Sequence, residues 1–501
     1  MTKQKVDILF INPGSIEAVY QQLGSELSAI ETPSLTALFA TYVRKKGAHV
    51  KIIDAPALNL SPQGVANLID KEYDPTLIVM VVYGFQPSAS TQNMTAAGQT
   101  CSAIKKDNPT HSILMTGTHP AALPKQTLEE EDVDFVCSQE GPQTIWGTYE
   151  VLDAKSDDFT KVPSLLYRKK GEIQETPKGA LLDNLSDVMP GAAWDLLPMD
   201  KYRAHNWHCF DHLEERKPYA SIHTSLGCPY KCTFCCINAP FGGSSYRLWK
   251  PEVVAAEIDV LVNRYNIKNI KFVDEMFVLN PRHVNDICDL LIERDYGLNI
   301  WAYARVDTVK EAFLDKLRRA GIRWLALGIE SASQHVRDGV EKGRFGRSDI
   351  LRVVKNIQNS GINVIGNYIF GLPDDTTESM QETLNLALEA RCEFANFYCA
   401  MAYPGSKLYK IALEKEWDLP DNWISYSQHA FTSKPLRTES LTAAQVLAFR
   451  DYAFETYFSD PHYLTYVESK FGSTASYHIK EMNKIKLRRK IVEEEKVLAH
   501  V

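Results

Sequence analysis

The sequence has few cysteines, no export signal and no long apolar run. Cysteine accounts for only 10 of the 501 residues. No stretch approaches the ~18 consecutive apolar residues that indicate a transmembrane helix, and the opening MTKQKVDILFINPGS lacks the small-residue cleavage site of a signal peptide. We therefore expect a cytoplasmic protein without a membrane span. In that reducing compartment a tight cysteine cluster more often holds metal than disulfides.

The sequence also lacks an excess of positive charge. The formal net charge is −8, which gives no reason to expect nucleic acid as a partner. Hydrophobic residues make up 45% of the chain and charged residues 24%, as in an ordinary folded protein. A chain of this length exceeds one hydrophobic core, so two to four domains are expected.

Residues 1–154 alternate short apolar runs with segments of helical periodicity. The runs, which we predict to be strands, are Val6–Ile11, Val50–Asp54, Leu77–Gly84, Ser112–Gly117 and Asp134–Cys137. They show no polar alternation, which is typical of strands buried on both faces of a parallel sheet. This pattern predicts a doubly wound, Rossmann-like α/β domain.

The remaining chain divides into three parts. Residues 155–205 contain a predicted hairpin and a proline-rich linker. Residues 206–414 return to alternation, with six predicted strands near 219–225, 269–273, 298–303, 322–329, 364–370 and 394–400. Six strand–helix units predict a partial (β/α)6 barrel, whose chemistry lies at the C-terminal ends of its strands. Residues 415–501 are predicted to be mainly helical.

The segment TSLGCPYKCTFCC at 224–236 contains Cys228, Cys232 and Cys235 in a C-x3-C-x2-C spacing. Iron–sulfur cubanes are usually held by four thiolates, so three leave one iron with an open position. Structural zinc usually uses paired C-x2-C units, and no second pair lies nearby. We expect no ligation by the adjacent Cys236.

The three cysteines, with Phe234 before the last, resemble the signature of the radical S-adenosylmethionine (SAM) enzymes. The resemblance implies that the three thiolates hold a [4Fe–4S] cluster whose open iron chelates the amino and carboxylate groups of SAM. Electron transfer from the cluster then cleaves SAM to a 5′-deoxyadenosyl radical. The electron would come from a flavodoxin-like or ferredoxin-like donor.

Other barrel segments resemble the family's SAM-binding motifs in the same order. Asp274 and Glu275 follow the second strand and are carboxylates suited to the SAM amine. Arg305 follows the third strand, where it would pair with the SAM carboxylate. Glu330 and Ser331 end the fourth strand, within reach of the amine or ribose. The fifth and sixth strand motifs are 366–373 and 402–409.

An α/β domain ahead of such a barrel resembles the cobalamin-binding subfamily. Small residues in loops at strand ends allow a bulky ligand to approach the backbone. The candidate cobalamin contacts are Asn12, Pro13, Tyr83, Gly84, Phe85, Gln86, Gly117, Thr118 and His119. The D-x-H-x-x-G motif that supplies a histidine ligand in many cobalamin proteins is absent. Tyr83 is thus a candidate to lie beneath the corrin. For His119 we expect contact with the phosphate tail, or with residues that themselves contact the cofactor, rather than cobalt ligation.

The resemblance implies a cobalamin-dependent radical SAM methyltransferase that transfers a methyl group to an unactivated carbon, or to phosphorus. One alternative keeps the cofactors but forms or rearranges a ring without methyl transfer. A second is a non-catalytic iron–sulfur or corrinoid carrier. The substrate, a small molecule or a peptide or protein, cannot be read from the sequence. The histidine-rich and aromatic segment 202–223 is either interdomain packing or a substrate-facing loop.

Overall fold

The computed structural model describes residues 3–14, 21, 27–84, 86–343 and 345–498. The first sheet has seven strands in the order β2-β1-β3-β4-β5-β6-β7. Its strands are β1 (Gln4–Asn12), β2 (Val50–Asp54), β3 (Tyr73–Val82), β4 (Ile113–Gly117), β5 (Phe135–Cys137), β6 (Leu165–Lys169) and β7 (Glu172–Glu175). β1 to β5 pair in parallel, which confirms the predicted doubly wound domain.

The predicted hairpin belongs to this sheet. β6 pairs antiparallel with β5, and β7 with β6. Residue 154, the predicted end of the first domain, therefore does not separate the hairpin from the sheet that it extends.

Helices cover both faces of the first sheet, because the connections between parallel strands must cross over it. They are Ser34–Lys45, Ala55–Leu58, Pro62–Glu72, Pro87–Asp107, Thr118–Ala122, Pro124–Glu130 and Pro142–Asp153, followed in the linker by Leu185–Val188. Apolar side chains on the two sheet faces belong to separate clusters: Phe10 and Val79 to one, Leu9 and Met80 to the other. The strands are thus buried on both sides, as their unbroken apolar runs predict.

The second sheet confirms the predicted half-barrel. All neighbouring strands are parallel, in the order β15-β14-β13-β12-β11-β8. They are β8 (Tyr219–Ile222), β11 (Asn269–Phe272), β12 (Asn299–Arg305), β13 (Ile322–Glu330), β14 (Asn363–Phe370) and β15 (Phe394–Cys399). A separate two-stranded ribbon joins β9 (Ser225–Leu226) to β10 (Arg247–Leu248).

Helices on the outer face of the half-barrel alternate with its strands. They are Pro251–Tyr265, Pro281–Arg294, Glu311–Arg319, Gln334–Gly339, Arg347–Asn359, Thr377–Ala390 and Lys407–Glu414. Short 3-10 helices lie at Trp194–Leu196, Trp207–Cys209, Leu213–Glu215, Ala239–Phe241 and Trp423–Tyr426. The predicted helical C-terminal region is confirmed by Ala443–Ser459, Pro461–Phe471, Ser473–Lys484 and Lys490–Leu498. None of the helices in the described part of the chain combines the length and apolar character needed to cross a membrane.

The open edge of the half-barrel is covered by a segment of the N-terminal region. The hydroxyl of Thr32 accepts a hydrogen bond from the Ser221 amide at 2.8 Å and donates to the Ser221 carbonyl at 3.2 Å. Glu31 is buried and lies 3.3 Å from Lys271 on β11. These contacts satisfy the unpaired edge of β8 and tie the two domains together.

The aromatic part of the 202–223 segment packs into the core. Trp207 lies edge-on to Trp301 and Trp324, with ring centroids 5.2 and 5.5 Å apart. His208 Nε2 lies 3.0 Å from the carbonyl oxygen of Asn299, and burial lowers the pKa of His208 to about 3. The packing interpretation therefore holds for these residues, whereas His205 and His223 lie closer to the domain interface.

Glu257 gives a prediction on stability. It accepts hydrogen bonds from the Ala192 amide (2.7 Å) and Trp194 Nε1 (3.1 Å), and burial raises its pKa from 4.5 to about 7. A raised carboxyl pKa contributes stability at low pH that is lost as the pH rises from 4.5 through 7. Wild type should therefore lose more stability than Glu257→Gln between pH 5 and 8, by a difference on the order of 3 kcal/mol.

Thermal unfolding midpoints across this pH range measure the effect. Glu252→Gln, on the exposed side of the same helix, is the matched control and should follow wild type. Parallel pH profiles for wild type and Glu257→Gln would contradict the prediction.

Candidate active site

The cysteine loop begins with β9 and is held on both sides. Gly227 has a φ of +88°, and a Cβ at this position would lie 2.5 Å from the Ser245 carbonyl oxygen. Only glycine therefore allows the ribbon to pack this closely just before the first cysteine. Further along, the Thr233 amide donates to the Val340 carbonyl at 3.1 Å, and the Leu408 amide donates to the Thr233 carbonyl at 2.8 Å.

The three thiols of the motif lie close enough together that Cys232 affects the pKa of Cys228 and Cys235. Burial raises the pKa of Cys228 to about 11 and that of Cys235 well above its ordinary value, and Cys232 adds to both increases. Cations lie beside them: Arg305 Nη1 donates to Cys232 Sγ at 3.6 Å, and Lys342 lowers the pKa of Cys228. This donor set fits an anionic cluster, because thiolates bind metal only once deprotonated.

The carboxylates after β11 have different surroundings. Asp274 accepts three hydrogen bonds of 2.6 Å, from the Thr224 amide, Thr224 Oγ1 and Ser225 Oγ. Asp274 therefore fixes the conformation of Thr224 and Ser225, just before the cysteines. Glu275 accepts no hydrogen bond from any described residue, and burial raises its pKa to about 7. Of the two, Glu275 is the carboxylate available to a ligand, and its predicted contact with the SAM amine stays a prediction.

Arg305 lies at the end of β12, beside the cysteine loop. Its guanidinium pairs with Asp307 at 2.9 and 3.0 Å and lies 3.9 Å from the ring centroid of Tyr230, between the cysteines. Because Asp307 already pairs with the Arg305 guanidinium, the predicted contact with SAM would bring a second carboxylate to the same guanidinium.

Glu330 and Lys342 form a buried ion pair at the end of β13. Glu330 has a φ of +65°, a left-handed conformation that is strained in a non-glycine residue and clusters at functional sites. Its carboxylate lies 2.5 Å from Lys342 Nζ. The sequence interpretation missed Lys342, because it lies in a loop well after the strand and matches no strand-end motif.

Two further predicted SAM contacts lie against the protein interior. The Ser331 hydroxyl is fully buried, 3.2 Å from Thr383 Oγ1. Phe234 is partly buried and packs on apolar clusters that include Leu372 and Leu408. The predicted contacts of both residues with SAM stay predictions.

A cavity lies at the carboxyl edge of the first sheet, above β1 and β3. The strand order reverses between these two strands, and ligands of doubly wound folds bind at such a point. The predicted contacts that line this cavity are Asn12, Pro13, Tyr83 and Gly84, and the lining also includes Gly14, Glu31 and His205.

Close backbone contacts shape this cavity, as a bulky cofactor requires. Gly84 has a φ of +73°, and a Cβ there would lie 2.6 Å from Ala89 Cβ. A Cβ on Gly14 would lie 2.7 Å from Pro56 Cγ. Glycine at both positions lets these loops pack closely on Pro56 and Ala89, which also line the cavity. A wall with small residues at these positions fits a large flat ligand such as a corrin.

The other candidate cobalamin contacts are placed differently. Gly117 ends β4 and Thr118 begins the next helix. His119 is 1% exposed, with its ring 4.4 Å from that of Trp423. Gln86 precedes the helix Pro87–Asp107, and Phe85 lies outside the described residues. Cobalamin contacts by these residues stay predictions.

The sheet edge and the barrel mouth meet beside the cysteine loop. A Cβ on Gly405, just after the last barrel strand, would lie 2.6 Å from Ala239 Cβ, 3.1 Å from Ala122 Cβ and 3.7 Å from Cys236 Cβ. Ala122 ends the helix that follows β4, and Ala239 follows the cysteines. The edge of the first sheet therefore faces the catalytic end of the barrel.

Comparison with known families agrees with this arrangement. Residues 27–146 match the model of the B12 binding domain, and residues 222–387 match that of the radical SAM superfamily. Together the two models cover more than half of the chain. The chain belongs to the cobalamin-dependent radical SAM enzymes. This enzyme thus uses a [4Fe–4S] cluster, SAM and cobalamin.

Relatives resemble the enzyme over nearly its whole length. An uncharacterised methyltransferase of Pyrococcus horikoshii is 29% identical over 461 residues, which is 91% of this chain and 93% of the relative. The anaerobic magnesium-protoporphyrin IX monomethyl ester cyclase of Rubrivivax gelatinosus is 24% identical over 94% of this chain and 80% of its own. The methyltransferase TsrM from Kitasatospora setae, solved with cobalamin and a [4Fe–4S] cluster, shares the fold with a TM-score of 0.66 and 16% identity, over 92% of this chain and 90% of TsrM.

The geometry predicts that no protein histidine ligates cobalt in the enzyme. His205 lines the cavity, but its Nδ1 accepts a hydrogen bond from the Ala29 amide at 3.3 Å and its Nε2 lies 3.9 Å from Glu31. His119 Nδ1 lies 3.2 Å from Thr91 Oγ1. Electron paramagnetic resonance of the Co(II) form should therefore show no nitrogen splitting from a protein imidazole, and the spectrum of His205→Gln should match wild type. A splitting that disappears in His205→Gln would contradict this.

Proposed function

We propose that the enzyme transfers a methyl group of SAM, by way of cobalamin, to an unactivated carbon or a phosphorus atom of its substrate. When bound, cobalamin supplies a transferable methyl group and the cluster supplies the electron for radical formation. The observation that carries the proposal is the junction at Gly405, where the edge of the cobalamin domain meets the cysteine loop. A substrate bound between the sheet edge and the barrel mouth would be held close to both cofactors, and such positioning supplies much of an enzyme's rate advantage.

In this proposal the protein's own residues bind and orient SAM and cobalamin. Glu275 and the Glu330–Lys342 pair lie at the barrel mouth and hold the charged end of SAM. The Tyr83–Gly84 loop supports the corrin from the sheet edge. We further propose that a flavodoxin-like or ferredoxin-like protein delivers the electron, and that the substrate is a small molecule or a peptide or protein.

SAM carrying a deuterated methyl group tests the proposal. The purified enzyme is incubated anaerobically, with a reductant, in an extract of its host from which the gene has been deleted. Untargeted mass spectrometry should then find a compound that gains one deuterated methyl group. For each such product the enzyme should form about one S-adenosylhomocysteine and one 5′-deoxyadenosine, because one SAM donates the methyl group and a second donates the radical.

The cyclase relative from Rubrivivax gelatinosus is the observation that favours a second candidate, ring formation without methyl transfer. In that case 5′-deoxyadenosine forms without S-adenosylhomocysteine, and no product gains the label. Labelled product and S-adenosylhomocysteine without 5′-deoxyadenosine would indicate a polar methyl transfer, which contradicts the radical step.

A further inference from the structure

A buried ion pair connects the β9–β10 ribbon, beside Cys228, with the first sheet, near the loop that lines the cavity. Arg247, on β10, lies with Nη1 2.7 Å from Glu140 Oε2. The side chains are 12% and 9% exposed. Glu140 follows β5 of the first sheet, so the pair crosses from the barrel to the cobalamin-binding domain.

On the barrel side, Arg247 is rigidly connected to the first cysteine. β10 pairs with β9, with Arg247 opposite Leu226. The residue after Leu226 is Gly227, whose backbone packs directly on Ser245. Cys228 follows. A displacement of Arg247 therefore moves the ribbon from which the cysteine loop starts.

On the other side, Glu140 is connected to Tyr83. The Tyr83 hydroxyl donates to the Glu140 carbonyl at 2.9 Å. Glu140 Oε1 accepts from the Leu182 amide at 2.8 Å, and Arg247 Nη1 donates to the Leu182 carbonyl at 2.7 Å. Tyr83 lines the cavity at the sheet edge, so three contacts fix the position of its loop relative to Arg247.

The pair is an inefficient way to stabilise a fold. Among the described residues, Arg247 Nε and Nη2 are buried without a hydrogen-bond acceptor, and Glu140 Oε2 is buried without an aligned donor. The face of Phe241 lies 5.1 Å from the guanidinium carbon. Desolvation of a buried ion pair commonly offsets its attraction, and an apolar pair of similar volume is often as stable. What the pair provides is a fixed geometry between two loops.

We infer that Arg247 and Glu140 are positioning residues that hold the Tyr83–Gly84 loop at a fixed distance from the cysteine loop. The affinity for cobalamin depends on this fixed distance. The inference concerns cofactor binding and does not depend on which substrate atom is methylated. Neither residue needs to touch the reacting atoms.

Arg247→Met tests the inference, with hydroxocobalamin as the probe. The reconstituted variant should retain about four irons per chain but bind cobalamin at least about tenfold more weakly than wild type in a spectroscopic titration. Arg247→Lys keeps the charge on a shorter side chain that no longer places one nitrogen against both Glu140 and Leu182, as Nη1 does. Its cobalamin affinity should fall between those of wild type and Arg247→Met. Arg294→Met is the matched control, because Arg294 pairs with Asp259 at 2.6 Å between two outer helices. It should bind cobalamin within about twofold of wild type.

The double variant Glu140→Met/Arg247→Met separates positioning from the cost of an unpaired buried charge. If the inference is correct, the double variant recovers thermal stability relative to Arg247→Met but not cobalamin affinity. Recovery of both would show that only the unpaired charge mattered and would overturn the inference. Wild-type cobalamin affinity in Arg247→Met, or loss of iron together with cobalamin, would also overturn it.

Discussion

Replacement of Cys228, Cys232 or Cys235 by alanine is expected to abolish reductive cleavage of SAM. The three thiols share one site, with Cys232 raising the pKa of both other thiols and Arg305 Nη1 3.6 Å from Cys232 Sγ. A [4Fe–4S] cluster with two protein thiolates has lost one of its three anchors. Iron content after anaerobic reconstitution and 5′-deoxyadenosine formation under dithionite measure the effect, which should exceed about a hundredfold in rate.

Cys236→Ala is the matched control for this prediction. Cys236 is adjacent to the motif and 3% exposed, but its Cβ faces Gly405, which follows the last barrel strand. The variant should retain about four irons and form 5′-deoxyadenosine at a rate close to that of wild type. Equal loss of activity in Cys236→Ala would mean that the ligand assignment is wrong.

Gly84→Ala is expected to weaken cobalamin binding by about tenfold or more while the cluster remains intact. A Cβ at this position would lie 2.6 Å from Ala89 Cβ and 3.3 Å from the Ala89 carbonyl carbon. Both atoms belong to the first turn of the helix Pro87–Asp107, so the loop rather than the helix has to move. A shift of the loop displaces Tyr83 from the cavity wall.

Gly171→Ala is the control that distinguishes the clash with Ala89 from the backbone strain of a non-glycine residue at positive φ. Gly171 has a φ of +85°, close to the +73° of Gly84, so both variants carry the left-handed penalty of about 1 kcal/mol. No atom of the described residues lies within 4 Å of a Cβ on Gly171, which lies in the hairpin turn between β6 and β7. Hydroxocobalamin titration should show Gly171→Ala close to wild type. Equal weakening in both variants would indicate a general loss of stability and not a specific role of the Tyr83–Gly84 loop.

Much of the fold could be predicted from local patterns, because the length and spacing of apolar runs differ between buried strands and amphipathic helices. Unbroken apolar runs such as Leu77–Gly84 indicated strands buried on both faces, and β3 contains Leu77–Val82. Its earlier start at Tyr73 was missed, since Pro75 is typical of a turn. Pro75 is tolerated because β4 joins β3 only from Ile78 onward, so the strand has a free side at Pro75.

Side-chain partners in the site could not be predicted from spacing. Asp274 and Glu275 are equivalent by type and position in the sequence. In the structure Thr224 and Ser225 take up the hydrogen-bonding capacity of Asp274 and leave Glu275 available. Lys342, Arg247 and Glu140 carried no signal in the sequence, because each meets its partner only through tertiary contact.

The sequence by itself predicted the order of the domains and the cysteine site, and its resemblance to a known family implied which cofactors the protein uses. Three cysteines in one short loop, ahead of strand-end motifs in a fixed order, specify a cluster site without reference to distant residues, because such ligands come from a single turn of chain. Only the tertiary structure decided how the edge of the first sheet and the mouth of the barrel face each other. That arrangement depends on contacts between residues far apart in the chain, such as Thr32 with Ser221 and Glu140 with Arg247. No local periodicity records these pairs, because their geometry arises only when the sheet edge packs against the barrel mouth.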